Sequence, residues 1–167
     1  GIAVLRYDDR GVGDSEGDFS TATSFDFADD AGVAVAYLKS NFDFSPIGLA
    51  GHSEGGVIAP IVANQSKDVD FIILMAGSSL TGKEILELQG ALILGQTEIS
   101  REGLEVYKKT QSTMLQIAVD IENDEEALKK LSDVSKAYGD LSEQDQQIIG
   151  YNPETFELAL KALLSPW

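Results

Sequence analysis

The sequence has 167 residues, 43% hydrophobic and 24% charged, with no cysteine and one histidine. That length and hydrophobic share fit one domain with an appendage and exclude general disorder, while the missing side chains exclude disulfides, thiolate metal sites, cysteine nucleophiles and a histidine-rich metal cluster. The formal charge of −16 is shared evenly: residues 1–79 carry 4 basic and 12 acidic side chains, and residues 80–167 carry 8 and 16, a field that disfavours nucleic acid and anionic membranes and whose plain reading is solubility.

In chain order, residues 1–7 form a short apolar run that opens on Gly1 rather than on a methionine. This reads as a chain cut from something longer. Residues 46–50 and 71–76 are two further runs of the same kind. Uninterrupted runs of this length suit strands buried on both faces, as in parallel sheets. Between the first two, residues 25–40 place Phe27, Ala31, Ala34, Val35 and Leu38 at helical spacing, and residues 57–64 also read as helix. Strand, helix, strand, helix, strand predicts right-handed crossovers in a parallel α/β layer.

From Leu80 onward the strand signals stop. Residues 83–94 are rich in Leu, Ile and Glu. Ser100 caps a longer helix with Leu104, Tyr107, Met114, Ala118 and Ile121 on one side. Asp124 starts another, with Leu128, Leu131 and Val134 inward and Gly139 where a C-terminal cap belongs. Asn152-Pro153-Glu154 supplies a cap, a first-turn proline and a first-turn acid ahead of Phe156, Leu160, Leu163 and Leu164. About four amphipathic helices result. Tyr107 and Met114 read as packing residues rather than a cofactor box. No apolar run approaches the ~20 residues of a membrane span, and no stretch reads as a leader, which leaves the compartment open. The chain divides into a partial α/β core, residues 1–79, and an all-helical region, residues 80–167.

The sharpest motif is Gly51-His52-Ser53-Glu54-Gly55, followed by Gly56. G-x-S-x-G after a strand and before a helix puts a serine on a sharp, strained turn at the sheet's C-terminal edge. Glycines on both sides let strand and helix approach, and the helix N-terminus favours developing negative charge. The alternative is a tight glycine turn without chemistry. A second motif, Asp8-Asp9-Arg10-Gly11-Val12-Gly13-Asp14-Ser15, follows the first run. Backbone N–H groups of such a loop could bind an anion. Its acidity favours a structural turn with Arg10 tied to a carboxylate. No phosphate-binding G-x-x-x-x-G-K-[ST] is present, and no G-x-G-x-x-G lies at a strand-to-helix turn.

Taken together over roughly residues 1–95, these segments resemble the α/β-hydrolase superfamily, most closely bacterial esterases and serine aminopeptidase-like hydrolases with a helical cap. The resemblance implies a small-molecule acyl substrate, no cofactor and no metal. It implies Ser53 as nucleophile and the backbone N–H of Glu54 as an oxyanion donor, with Gly51, His52, Gly55 and Gly56 shaping the elbow. It makes residues 80–167 a cap that shapes the acyl or leaving-group pocket. In this superfamily a histidine base follows the nucleophile in the chain, and here none does. His52, on the same tight turn, is expected to point its ring away from the Ser53 hydroxyl and to pack the elbow. The acid, the histidine, the second oxyanion donor and a strand between residues 1–7 and 46–50 are all expected outside this chain, which ends at Ser165-Pro166-Trp167 about where the cap hands back to the acid-bearing strand. Two readings stand: a fragment of a serine hydrolase acting on esters, thioesters or amides, and a catalytically inactive scaffold or interaction module. A sheet lacking an internal strand also exposes edges that invite self-association.

Overall fold

Five consecutive apolar residues, Phe71–Met75, form a strand that pairs in parallel with Gly48–His52, in register from Gly48 opposite Phe71 to His52 opposite Met75. The computed structural model in which this pair is seen describes residues 1–164. It falls into two units, Gly1–Ser79 and the residues from Leu80 onward.

In the first unit, α1 (Ser24–Asn41) leads to β1 (Gly48–His52), then α2 (Gly55–Gln65) and β2 (Phe71–Met75). Helix α1 starts where Thr23 and Asp26 make a reciprocal capping box, which satisfies two of the N–H groups a helix start leaves unpaired. Asp70 sets the strand register. Its carboxylate accepts Ile47 N–H and its own N–H donates to the Ile47 carbonyl, both at 2.8 Å. The core joins Ala28, Ala31 and Val35 of α1 to Ile47 and Val62. Of the expected inward residues, Ala31 and Val35 are buried and Leu38 packs against them, while Ala28 is fully buried and Ala34 only partly covered. Phe27 instead meets Phe19, ring centroids 5.5 Å apart.

Residues 1–7 are not a strand. Ile2 is 94% exposed and Val4 78%, and among the described residues no strand lies beside them. A strand is held by the ladder it shares with a neighbour. The resemblance puts another strand between this segment and β1, and no described residue occupies that place. β2 is only half covered: its residues are between 37% and 50% exposed. The structure is therefore a partial α/β sheet, two parallel strands with their crossover helix, followed by a helical unit.

The second unit holds α3 (Gly82–Leu94), α4 (Arg101–Asp120), α5 (Asp124–Ser135), a 3-10 turn (Lys136–Asp140), α6 (Glu143–Ile149) and α7 (Phe156–Leu163). Met114, Leu131, Tyr138 and Leu160 form its core. Tyr138 is the centre of a ring cluster, with Tyr107, Tyr151 and Phe156 at centroid distances of 6.2, 5.7 and 5.9 Å. Burial pushes its phenol pKa well up. Tyr107 and Met114 are packing residues here.

Two sequence expectations are corrected. Gly139 lies inside the 3-10 turn and does not end α5; the left-handed glycine cap is Gly150, φ 77°, after α6. Helix α6 itself was not expected, because seven residues are too few to show a period. Around Asn152, the side chain accepts Glu154 N–H (2.9 Å) and the carbonyl accepts Phe156 N–H (2.8 Å), so the expected capping bonds are present, on the turn that leads into α7. The expected hand-back at Ser165-Pro166-Trp167 lies outside the described residues.

Candidate active site at the strand-to-helix turn

β1 runs into Ser53 and Glu54, and α2 begins at Gly55. Ser53 has φ 54°, a left-handed conformation that costs a residue with a Cβ roughly 1–2 kcal/mol. The turn is fixed from three sides. Ser53 N–H donates to the Met75 carbonyl across the strand ends (2.9 Å). The Ser53 carbonyl accepts Gly56 N–H (2.9 Å), and the Glu54 carbonyl accepts Val57 and Ile58 N–H (2.8 and 3.0 Å). The Ser53 side chain is left exposed.

The glycines differ in purpose. A Cβ on Gly51 would run into the Gly55 carbonyl, and one on Gly56 would run into the Cα of Gly77. A Cβ on Gly55 would meet nothing. The close approach of strand and helix therefore rests on Gly51, and Gly56 serves a second contact, with the residue pair after β2. Ala76 and Gly77 carry no motif. The signal that could have found them is topological, since parallel strands end together and the chain leaving β2 must pass the elbow.

Glu54, at the N-cap of α2, makes no capping bond with its side chain. Its carboxylate accepts the Ser24 hydroxyl from the first turn of α1 at 2.7 Å. Among the described residues nothing accepts the Glu54 backbone N–H, and no side chain bonds the Ser53 hydroxyl. The N-terminal N–H groups of α2 add positive potential at the turn.

The expected packing of the elbow by the His52 ring is set against its exposure. Its neighbour Gly51 is buried and His52 is exposed, because successive residues of a strand face opposite sides. It keeps its place through the backbone, opposite Met75, and makes no bond to Ser53.

The loop after residues 1–7 is a closed turn. Gly11 and Gly13 adopt φ 71° and 58°, Gly11 N–H donates to the Glu16 carbonyl (3.2 Å), and the Ser15 hydroxyl donates to the Asp8 carbonyl (2.7 Å). Arg10 forks onto both oxygens of Asp30 through Nε and Nη2, each at 2.8 Å, and reaches Asp26 through its carboxylate (3.3 Å) and carbonyl (3.0 Å). The hydrogen bond to Asp30 raises the guanidinium pKa further. The Thr23 hydroxyl, followed by its N–H, holds the Asp26 carboxyl below its ordinary range. With its cation engaged by α1, the loop has the structural role that its acidity suggested. Among the described residues no cluster of His, Asp and Glu is arranged to hold a metal ion, and no helix is long and apolar enough to cross a membrane.

Comparison with known proteins places these features in context. The family model Serine aminopeptidase, S33, matches residues 1–140. Esterase EstD of Thermotoga maritima is 30% identical over 111 residues, which is 65% of this chain and 27% of the esterase. The chain thus spans about a quarter of the length of that curated relative. No solved structure matches it.

Proposed function

Since the chain belongs to the S33 serine aminopeptidase family of the α/β-hydrolase superfamily, we propose that it carries the nucleophile of a serine hydrolase that cleaves carboxylic esters or related acyl bonds. The observation that carries the reading is Ser53 itself, an exposed hydroxyl on a left-handed residue between a parallel strand and the helix that follows it.

In this reading the Ser53 Oγ attacks the acyl carbon and its proton passes to a base. The tetrahedral oxyanion faces the Glu54 N–H, which has no other acceptor among the described residues, and the N-terminus of α2. Collapse expels the alcohol, thiol or amine with that proton and leaves an acyl-Ser53 ester, which water then hydrolyses. In this reading His52 is not the base, because successive residues of a strand face opposite sides and His52 immediately precedes Ser53 at the end of β1. The histidine, the acid and a second oxyanion donor lie outside these 167 residues, and the helical unit is the cap that shapes the acyl or leaving-group pocket. That the Thermotoga relative is an esterase supports the ester class.

A second reading, an inactive scaffold, is favoured by one observation: among the described residues no group is placed to take the Ser53 proton. One experiment separates the two. Fluorophosphonate labelling of the complete polypeptide as encoded, read by intact mass, adds one phosphonyl group in the wild type and none in Ser53→Ala, and ester hydrolysis falls by about three orders of magnitude or more in that variant. A complete polypeptide that takes no label and hydrolyses no ester through Ser53 leaves the scaffold.

A further inference from the structure

Both strands of the parallel pair end in a left-handed residue, Ser53 at φ 54° and Ala76 at φ 53°, and among the described residues no other non-glycine residue has positive φ. Ser53 has a chemical reason to be there. Ala76 has none of its own: its methyl group can form no local hydrogen bond to offset the strain, and glycine would adopt the same backbone freely. An unrelieved outlier beside a reactive group points to a role in holding that group.

The neighbours of Ala76 supply the role. On one side, the Met75 carbonyl accepts Ser53 N–H at 2.9 Å. On the other, Gly77 lies against the first turn of α2, where its ideal Cβ position is 3.0 Å from Gly56 Cα. Ala76 is thus the single residue between the two contacts that pin the elbow to the end of β2. Met75 and Gly77 engage together across a chain that turns left-handed at Ala76, and the Cβ of Ala76 narrows the range of that turn where glycine would leave it wide.

We propose that Ala76 is a positioning residue for Ser53, acting through the Met75 carbonyl and the Gly77–Gly56 contact. The proposal rests on the reading of Ser53 as nucleophile, and the test separates the two. In the complete polypeptide as encoded, Ala76→Gly removes the strain while loosening the turn, so its effects on stability and on rate run in opposite directions. Tm stays at or above the wild-type value, whereas the rate of Ser53 fluorophosphonylation and kcat on a p-nitrophenyl ester both fall about tenfold, with KM unchanged. Ala76→Asn keeps a Cβ on a residue that tolerates the left-handed region, and keeps the rate within about threefold. A wild-type rate in Ala76→Gly, or a rate that falls only together with Tm, overturns the role of Ala76 while Ser53 labelling in the same samples leaves the nucleophile standing. Label that persists in Ser53→Ala, or a wild type that takes none, overturns the nucleophile and the positioning role together.

Discussion

Gly51 and Gly55 hold equivalent places in the motif and meet different surroundings. Gly51 abuts the Gly55 carbonyl, so a methyl group there has to push β1 and α2 apart, while at Gly55 it would enter open space in the first turn of a helix. Gly51→Ala is therefore expected to destabilise the first unit by ~1–3 kcal/mol or more, as overpacking against backbone does, and Gly55→Ala to change stability by less than about 1 kcal/mol, in the favourable direction if helix propensity dominates. Chemical denaturation of both variants checks this; equal losses would show that the turn, not the contact, sets the requirement. The motif was legible because G-x-S-x-G fixes residue types at fixed spacing. Arg10 was legible as a tied cation, although its partners Asp26 and Asp30 were not, since ion pairs 16 and 20 residues apart leave no local pattern. Ala76 and Gly77 were invisible because an alanine and a glycine after an apolar run look like any strand end.

At the scale of elements, Asp145 joins two helix starts. It accepts Ser100 N–H (2.8 Å) and the hydroxyls of Ser100 (2.7 Å) and Ser142 (3.0 Å), and these serines cap α4 and α6. The Ser100 N–H is the largest of the causes that hold its carboxyl below the ordinary value of 3.8. Because the folded value is the lower one, the stability this carboxylate contributes is fully present above about pH 4 and is lost as pH falls through the folded value. Asp145→Asn is expected to lower Tm at pH 7, with the gap to wild type closing below pH 3.8; a gap constant with pH would assign the loss to packing. Gly103, whose Cβ would come within 2.7 Å of the same carboxyl, shows how closely α4 and α6 approach there. The sequence carried α1, α2 and α4 because their apolar residues recur at helical spacing, and in α4 the Ser100 cap agrees with that spacing. It missed α6, and it placed a strand at residues 1–7, where the apolar pattern is right but pairing, a non-local property, decides.

For the molecule as a whole, the two cores are separate, one of Ala28, Ala31, Val35, Ile47 and Val62, the other around Tyr138. β2 adds five exposed apolar residues in a row, and an apolar strand with a free edge is a template for another chain. We propose that the isolated 167-residue chain self-associates through this sheet. Light scattering across a concentration series is expected to show a mass that rises with concentration, and a monodisperse monomer at high concentration removes the idea.

The ladder between Gly48–His52 and Phe71–Met75 also restricts what can lie beside it. Along each strand of a parallel pair, the N–H and C=O of one residue point to the partner and those of the next point away. The outward set repeats at the spacing of an extended backbone, about 6.6 Å for every second residue. A helix laid along that edge meets none of these groups, because its own are turned along its axis. Among polypeptide neighbours, only one that arrives extended and in register, parallel or antiparallel, pairs with the whole set, so the two short strands set the conformation of such a neighbour as well as their own.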